Sequence, residues 1–248
     1  MENLICFTLG YNLDYLKLTK LCVDSLKNTG YSGDLLFITD MKNEILETIT
    51  YDGNILFMET KKSDLIGSSS NKLKIHKYEE ILKYNKVICC DLDTLWLKSP
   101  NILFESMTED KFYVADDNHS NLLMSAPQHY YGDYLLTNDE LHEINLNQIK
   151  GFSAGFFAFP TKLLKHLIEM DSLYDNSTIE SPCAEQPVFN SYLWRKKLYS
   201  NSFNGLVSHG GYWGHIFNGV LIHFPGGIGN FQVKYNKMIN YLKNIKNE

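Results

Sequence analysis

The first hundred residues alternate between short apolar runs and segments with apolar residues at helical spacing. This alternation limits the fold more than any other feature. Leu4 to Leu9, Leu35 to Thr39, Ile55 to Met58 and Val87 to Cys90 read as buried strands. Between them, Tyr15 to Lys27 brings Leu16, Leu18, Leu21, Cys22, Val23 and Leu26 onto one helical face, and Glu44 to Thr50 reads as a short helix. Ser68-Ser69-Ser70-Asn71 offers capping chemistry for a helix over Lys72 to Lys83. Strands that alternate with helices predict an α/β fold with a mostly parallel central sheet flanked by helices.

After Pro100 the pattern loosens. Phe112 to Ala115 predicts a strand, Asn118 to Lys150 an irregular polar excursion, and Phe156 to Phe159 another strand. Thr161 to Met170 predicts a helix capped by Thr161, and Gln186 to Trp194 a further helix. Leu206 and Val207 precede a glycine-aromatic loop over 210–214. Val220 to His223 is a last strand, and a basic helix begins at Gln232. With no internal repeat and no linker-like break, residues 1–248 read as one Rossmann-like domain.

A chain of 248 residues with 44% apolar content can bury a sizeable core. Its formal net charge of −6 argues against nucleic acid as a partner, and a phosphorylated substrate would need a metal or local lysines to offset that charge. Five cysteines without framework spacing read as reduced thiols, which predicts a cytoplasmic location; Cys89 and Cys90, adjacent in a strand, should face opposite sides. No signal-length apolar run follows Met1, and no stretch approaches the roughly 20 apolar residues of a membrane span.

The run Val87 to Leu97 is the most specific chemical signal. Asp91 and Asp93 close an apolar strand and precede another apolar stretch. Ligands of open α/β sheets bind at the carboxyl ends of strands, and residues i and i+2 of an extended segment point the same way. Two such carboxylates with no basic neighbour within four residues suit a hard divalent cation that keeps positions open for substrate phosphates.

Five blocks, in order, give the chain a resemblance to the glycogenin-like glycosyltransferases of family 8, which have the GT-A nucleotide-diphosphosugar transferase fold. They are Thr8-Leu9-Gly10-Tyr11-Asn12-Leu13-Asp14-Tyr15; Asn71-Lys72-Leu73; Tyr84 to Leu95 with Asp91-Leu92-Asp93-Thr94; Phe152 to Phe159 with Ser153-Ala154-Gly155; and Glu185-Gln186 with Ile222-His223-Phe224-Pro225-Gly226. The resemblance implies a nucleotide-binding half over 1–100 and a donor-sugar and acceptor half over 101–248. It implies nucleotide contacts from Thr8, Leu9, Tyr11, Asn12, Tyr15 and Lys72, with Lys74 competing for the last role. It implies donor-sugar contacts from Ser153, Ala154, Gly155 and Gly226, and a catalytic role for Glu185 and Gln186. Asp91, Asp93 and His223 would hold manganese, with magnesium as the other candidate cation.

The implied activity is hexosyl transfer with retention from a nucleoside diphosphosugar, with UDP as the expected carrier, to a saccharide or protein acceptor that no motif names. The chain departs from the family pattern at three places. Ser153 stands where asparagine is usual, Glu185 where aspartate is usual, and Gly229 where a diphosphate-binding lysine is usual, leaving Lys234 as another source of that charge. Two other readings remain at this stage: a non-catalytic nucleotide-sugar-binding relative, and an aspartate-nucleophile phosphatase. For the phosphatase the Asp-x-Asp-Thr spacing is one residue short.

Overall fold

The computed structural model describes residues 2–10, 12–61, 65–117, 132–175, 183, 185–209, 217–225 and 230–246. In chain order the first half runs β1 (Glu2–Leu9), α1 (Tyr15–Asn28), β2 (Asp34–Thr39), α2 (Lys42–Thr48), β3 (Ile55–Glu59), α3 (Leu65–Ser70), β4 (Tyr84–Cys90), β5 (Thr94–Trp96) and α4 (Asn101–Ser106). The second half runs β6 (Phe112–Tyr113), α5 (Asn138–Leu146), β7 (Phe156–Pro160), α6 (Leu164–Asp175), α7 (Gln186–Lys196), β8 (Tyr199–Ser200), β9 (Val207–Ser208), β10 (Leu221–His223) and α8 (Phe231–Lys246).

Seven strands form the central sheet in the order β3-β2-β1-β4-β7-β6-β8. The first four are parallel, as the alternation predicts, while β7 runs antiparallel to both β4 and β6. The strand order moves outward one way from β1 to β3 and the other way to β4, so β1 and β4 flank a topological switch point. That crevice, at the strands' carboxyl ends, is where such sheets bind ligands. Phe7 pairs with Cys90, which brings Thr8 and Leu9 level with Asp91.

Both faces of the sheet are covered, which explains the unbroken apolar runs at residues 4–7 of β1 and 87–90 of β4. Ile5, Phe7, Leu9, Ile88 and Cys90 pack on one side with α1, α2 and α8; Leu4, Cys6, Val87 and Cys89 pack on the other with α6 and α7. Cys89 and Cys90 therefore face opposite sides, and none of the five cysteines forms a disulfide among the described residues. Each fully buried Leu, Ile or Phe in these layers contributes about 1.5–3 kcal/mol through removal from water. Among the described residues, no helix is long and apolar enough to cross a membrane.

A small second sheet, β5-β10-β9, builds the site. Its centre strand β10 pairs antiparallel with β5, with His223 opposite Thr94, and the Phe224 amide donates to the Asp93 carbonyl at 2.8 Å. The chain leaving the Asp-x-Asp segment is thereby stitched to the strand that ends on His223.

Four sequence expectations change. No α-helix spans Lys72 to Lys83: helix α3 lies upstream, a 3-10 helix covers Asn71–Lys77, and a separate turn covers Ile81–Lys83. Ser68 and Ser70 are buried inside this unit, and Ser70 makes no side-chain cap. Asn71, Lys72, Leu73 and Ile75 are buried within this tighter turn. Thr161 does not cap a helix; its hydroxyl donates to the Tyr84 carbonyl at 2.7 Å, and the α-helix begins at Leu164. The strand expected at Phe112 to Ala115 pairs only at Phe112–Tyr113. The polar excursion contains α5, opened by a reciprocal capping box between Thr137 and Glu140. Residues 118–131 of that excursion and the loop 210–214 lie outside the described residues.

Candidate active site

Asp91 and Asp93 follow β4 at the switch point, and His223 ends β10 beside them. One oxygen of each aspartate faces the same imidazole nitrogen. His223 Nε2 lies 3.1 Å from Asp93 Oδ1 and 3.8 Å from Asp91 Oδ2. The remaining two oxygens are taken by lysines from distant segments: Lys72 Nζ meets Asp91 Oδ1 and Lys234 Nζ meets Asp93 Oδ2, both at 2.7 Å. The lysines thus leave Asp91 Oδ2, Asp93 Oδ1 and His223 Nε2 grouped with one ligand atom each.

Asp91, Asp93 and His223 can each offer one ligand atom such that the three lie within 4.8 Å of one another. Ligands bound at right angles about 2.1 Å from a metal are themselves about 3 Å apart, and opposed ligands about 4.2 Å apart. The spacing fits one divalent cation, and two carboxylates with one imidazole suit manganese or magnesium. Asp91 is one-third exposed and forms the open side; Asp93 and His223 are buried.

The electrostatics follow from this pairing. Burial alone would raise the Asp93 pKa, but the charges of Lys234 and His223 overcome it and hold the carboxyl well below its ordinary range. Burial disfavours the Lys72 ammonium, yet Asp91 and then Glu185 pull its pKa above the usual lysine value. Lys234 is shifted the same way, with burial opposed chiefly by Asp93. Glu185 shifts upward, because burial outweighs the attraction of Lys72.

Lys72 is the hub. Its ammonium reaches Asp91 Oδ1, Glu185 Oε1 at 2.8 Å and the Ala154 carbonyl at 2.9 Å. An ammonium has three N–H bonds, and all three are used. A phosphate contact from Lys72 would require one of them to give way, whereas Lys234 lies on the rim at 15% exposure with Asp93 as its one ion-pair partner among the described residues. Lys74 is half-buried and forms no ion pair with these carboxylates among the described residues.

Glu185 precedes α7 but does not cap it with its side chain. It is buried, Oε1 is on Lys72, and Oε2 has no hydrogen-bond partner among the described residues. Gln186 accepts from the Ala154 amide at 3.0 Å, and Ser153 Oγ accepts from the Gly155 amide at 3.1 Å. The Asp91 amide donates to the Gly155 carbonyl at 2.8 Å. Residues 153–155 are therefore a strut linking the Asp-x-Asp segment to α7. Gly155 also has a steric reason: a Cβ there would lie 2.3 Å from His223 Cε1, so only glycine admits the ring.

The expected nucleotide segment lies at the end of β1. Asn12 forms a local turn by accepting from the Asp14 amide at 2.9 Å. Tyr15 lies against Phe231 of α8, with ring centroids 6.2 Å apart. Thr8 and Leu9 are buried at the end of β1, just past the Phe7–Cys90 pairing. Tyr11 and Gly226 lie outside the described residues.

Two residues near the cluster were not assigned by sequence. His209 follows β9 and sets its Nδ1 2.9 Å from His223 Nδ1; burial, then the neighbouring His223, drives its pKa well below the ordinary value. Only its position before the 210–214 loop hinted at it. Asp40, just after β2, has a buried Oδ1 without a hydrogen-bond partner among the described residues, 3.2 Å from where a Cβ on Gly10 would be. Compared with protein-family models and with curated proteins, the chain matches none.

Proposed function

We propose that this chain is a metal-dependent glycosyltransferase that moves a hexose from a nucleoside diphosphosugar, UDP being the favoured carrier, to a saccharide or protein acceptor, with retention of configuration. The observation behind this reading is the division of each aspartate between a lysine and a shared ligand position, at the carboxyl edge of the sheet's switch point. A structural ion-pair cluster has no need to leave three donor atoms converging on one point.

A divalent cation bound by Asp91, Asp93 and His223 would supply positive charge to the departing diphosphate. The chain's own residues do the rest. Lys72 holds Asp91 and Glu185 in fixed orientation. Lys234, on the rim, has N–H bonds left to meet a phosphate oxygen as a point charge. Glu185 Oε2, which has no hydrogen-bond partner among the described residues, can face the positive charge that develops at the anomeric carbon when its bond to the leaving oxygen breaks, or can attack that carbon. Burial of Glu185 and Asp93 keeps water from competing for these charges. A reading in which Asp93 donates a proton, as a phosphatase would need, is disfavoured, because the Lys234 ammonium 2.7 Å from Asp93 Oδ2 favours the ionised carboxyl.

A screen of nucleotide-sugar hydrolysis with manganese tests the proposal. One donor should be turned over, and Asp91→Asn and Asp93→Asn should abolish the turnover. Full activity of either variant, or full activity in excess chelator, would remove the metal-dependent reading.

A further inference from the structure

The imidazoles of His209 and His223 meet edge to face at 86°, Nδ1 against Nδ1 at 2.9 Å, and both are buried. Such a contact is a hydrogen bond only if one ring carries its proton at that nitrogen and the other presents a lone pair. The far nitrogen of His223, Nε2, faces Asp93 Oδ1 and Asp91 Oδ2. A ring that binds a cation through Nε2 is neutral and carries its proton on Nδ1. The acceptor in position for that proton is Nδ1 of His209.

We propose that His209 is a positioning residue for metal binding: its Nδ1 accepts the Nδ1–H of His223 and so fixes the tautomer and ring angle in which His223 Nε2 offers its lone pair to a cation held with Asp91 and Asp93. The inference rests on the metal-binding half of the function proposed above. Gly155 limits the ring from another side, since a Cβ there would overlap Cε1. With the opposite tautomers, His209 would donate to His223, and the His223 proton would sit on Nε2 facing Asp93. That arrangement satisfies the pair without a cation but cannot ligate one. The choice of proton position at the His209 contact therefore decides whether the site can bind metal.

Manganese binding to the full chain, without nucleotide, tests this by electron paramagnetic resonance of the free ion. The proteins compared are the wild type, Asp93→Asn, and His209→Leu, His209→Gln and His209→Asn. Asparagine can place its carboxamide oxygen near the position of Nδ1, while glutamine carries its oxygen out toward Nε2. Loss of a partner to a metal-bound histidine costs about 10–100-fold in affinity, so Leu and Gln should weaken binding by that range and Asn should restore it to within about threefold. A second measurement needs no variant. In the magnesium-loaded, 15N-labelled wild type, two-bond nitrogen–proton correlations should show His223 protonated on Nδ1.

Each result decides. If His209→Leu binds manganese as the wild type does while Asp93→Asn does not, His209 has no such role and the metal site stands. If all three His209 variants lose affinity equally, the residue acts through packing and the proposal fails. Protonation of His223 on Nε2 in the loaded protein also overturns it. If the wild type binds no manganese, the metal site and this inference fall together.

Discussion

Replacing Lys72 by Met keeps the length of the side chain and removes the charge that joins two carboxylates. The ammonium is 2% exposed and contacts Asp91, Glu185 and the Ala154 carbonyl. Removing one partner of a buried ion pair costs about 3–5 kcal/mol, since the remaining charge stays buried and uncompensated. For a domain of this size each kcal/mol lowers the melting temperature by about 2–4 °C, so Lys72→Met should melt roughly 6–20 °C below wild type at pH 7.

The pH dependence gives a sharper check. Glu185 already has a raised pKa, and loss of Lys72 raises it further. A group whose folded pKa lies above its unfolded value favours the fold below the unfolded value and loses that contribution as pH rises through the folded one. The penalty of Lys72→Met should therefore be smaller at pH 5 than at pH 8. Adding Glu185→Gln should restore part of the loss, with a coupling of about 0.5–3 kcal/mol in a double-mutant cycle. Urea unfolding of the four proteins at both pH values measures all of this. A Lys72→Met protein that melts with the wild type, or a penalty that does not change with pH, would refute the assignment of Lys72 as the tie between the carboxylates.

Three further outcomes follow from the same geometry. Gly155→Ala puts a methyl 2.3 Å from His223 Cε1, so it should cost about 1–3 kcal/mol of stability and weaken manganese binding; unchanged manganese affinity would mean the ring is not held there. Glu185→Gln should lower kcat and kcat/KM by a similar factor of about 100, roughly 2.7 kcal/mol, while donor binding stays near wild type and the melting temperature falls less than in Lys72→Met, because Asp91 still pairs with the Lys72 ammonium; a fully active variant removes Glu185 from the chemistry. Asp93 has a lowered folded pKa, so its contribution is present above the unfolded value of about 3.9 and is lost as pH falls below it; urea unfolding between pH 6 and 3 should steepen in the wild type and less so in Asp93→Asn, and equal slopes would contradict the pairing with Lys234.

The parts legible in the sequence are those set by local pattern. The inner strands β1, β2 and β4 carry buried apolar runs that pack on both faces of the sheet, and the edge strand β3 is a partly buried apolar run, so all four are visible as short apolar segments between turn signals. The Asp91-x-Asp93 pair is a two-residue spacing at a strand end and needs no long-range information. Strand β5 escaped because it is three residues long and exists only through its pairing with β10. Helix α5 escaped because Ile144 is its one buried residue, which leaves no apolar face to detect; only the Thr137 to Glu140 cap announced it. The 3-10 helix over Asn71–Lys77 was read as α because winding is set there by what the sheet buries, not by propensity.

The site was half legible for a related reason. The sequence shows no basic residue near the aspartates, and that absence argued for a cation. In the fold, Lys72 and Lys234 come to both carboxylates, so the local absence does not persist in space. Yet the lysines sharpen the case for a metal. They take the outer oxygen of each aspartate and leave the inner two facing one imidazole. They also leave Glu185 Oε2 buried without a hydrogen-bond partner among the described residues, where an unmet polar atom costs about 1–3 kcal/mol or more. A cluster selected for stability alone would rotate or shorten that side chain to remove the cost. Retaining it beside converging ligand atoms, at the carboxyl ends of β1 and β4, is what the proposed transfer would call for, because fixed charges need no rearrangement when a glycosidic bond to a diphosphate breaks.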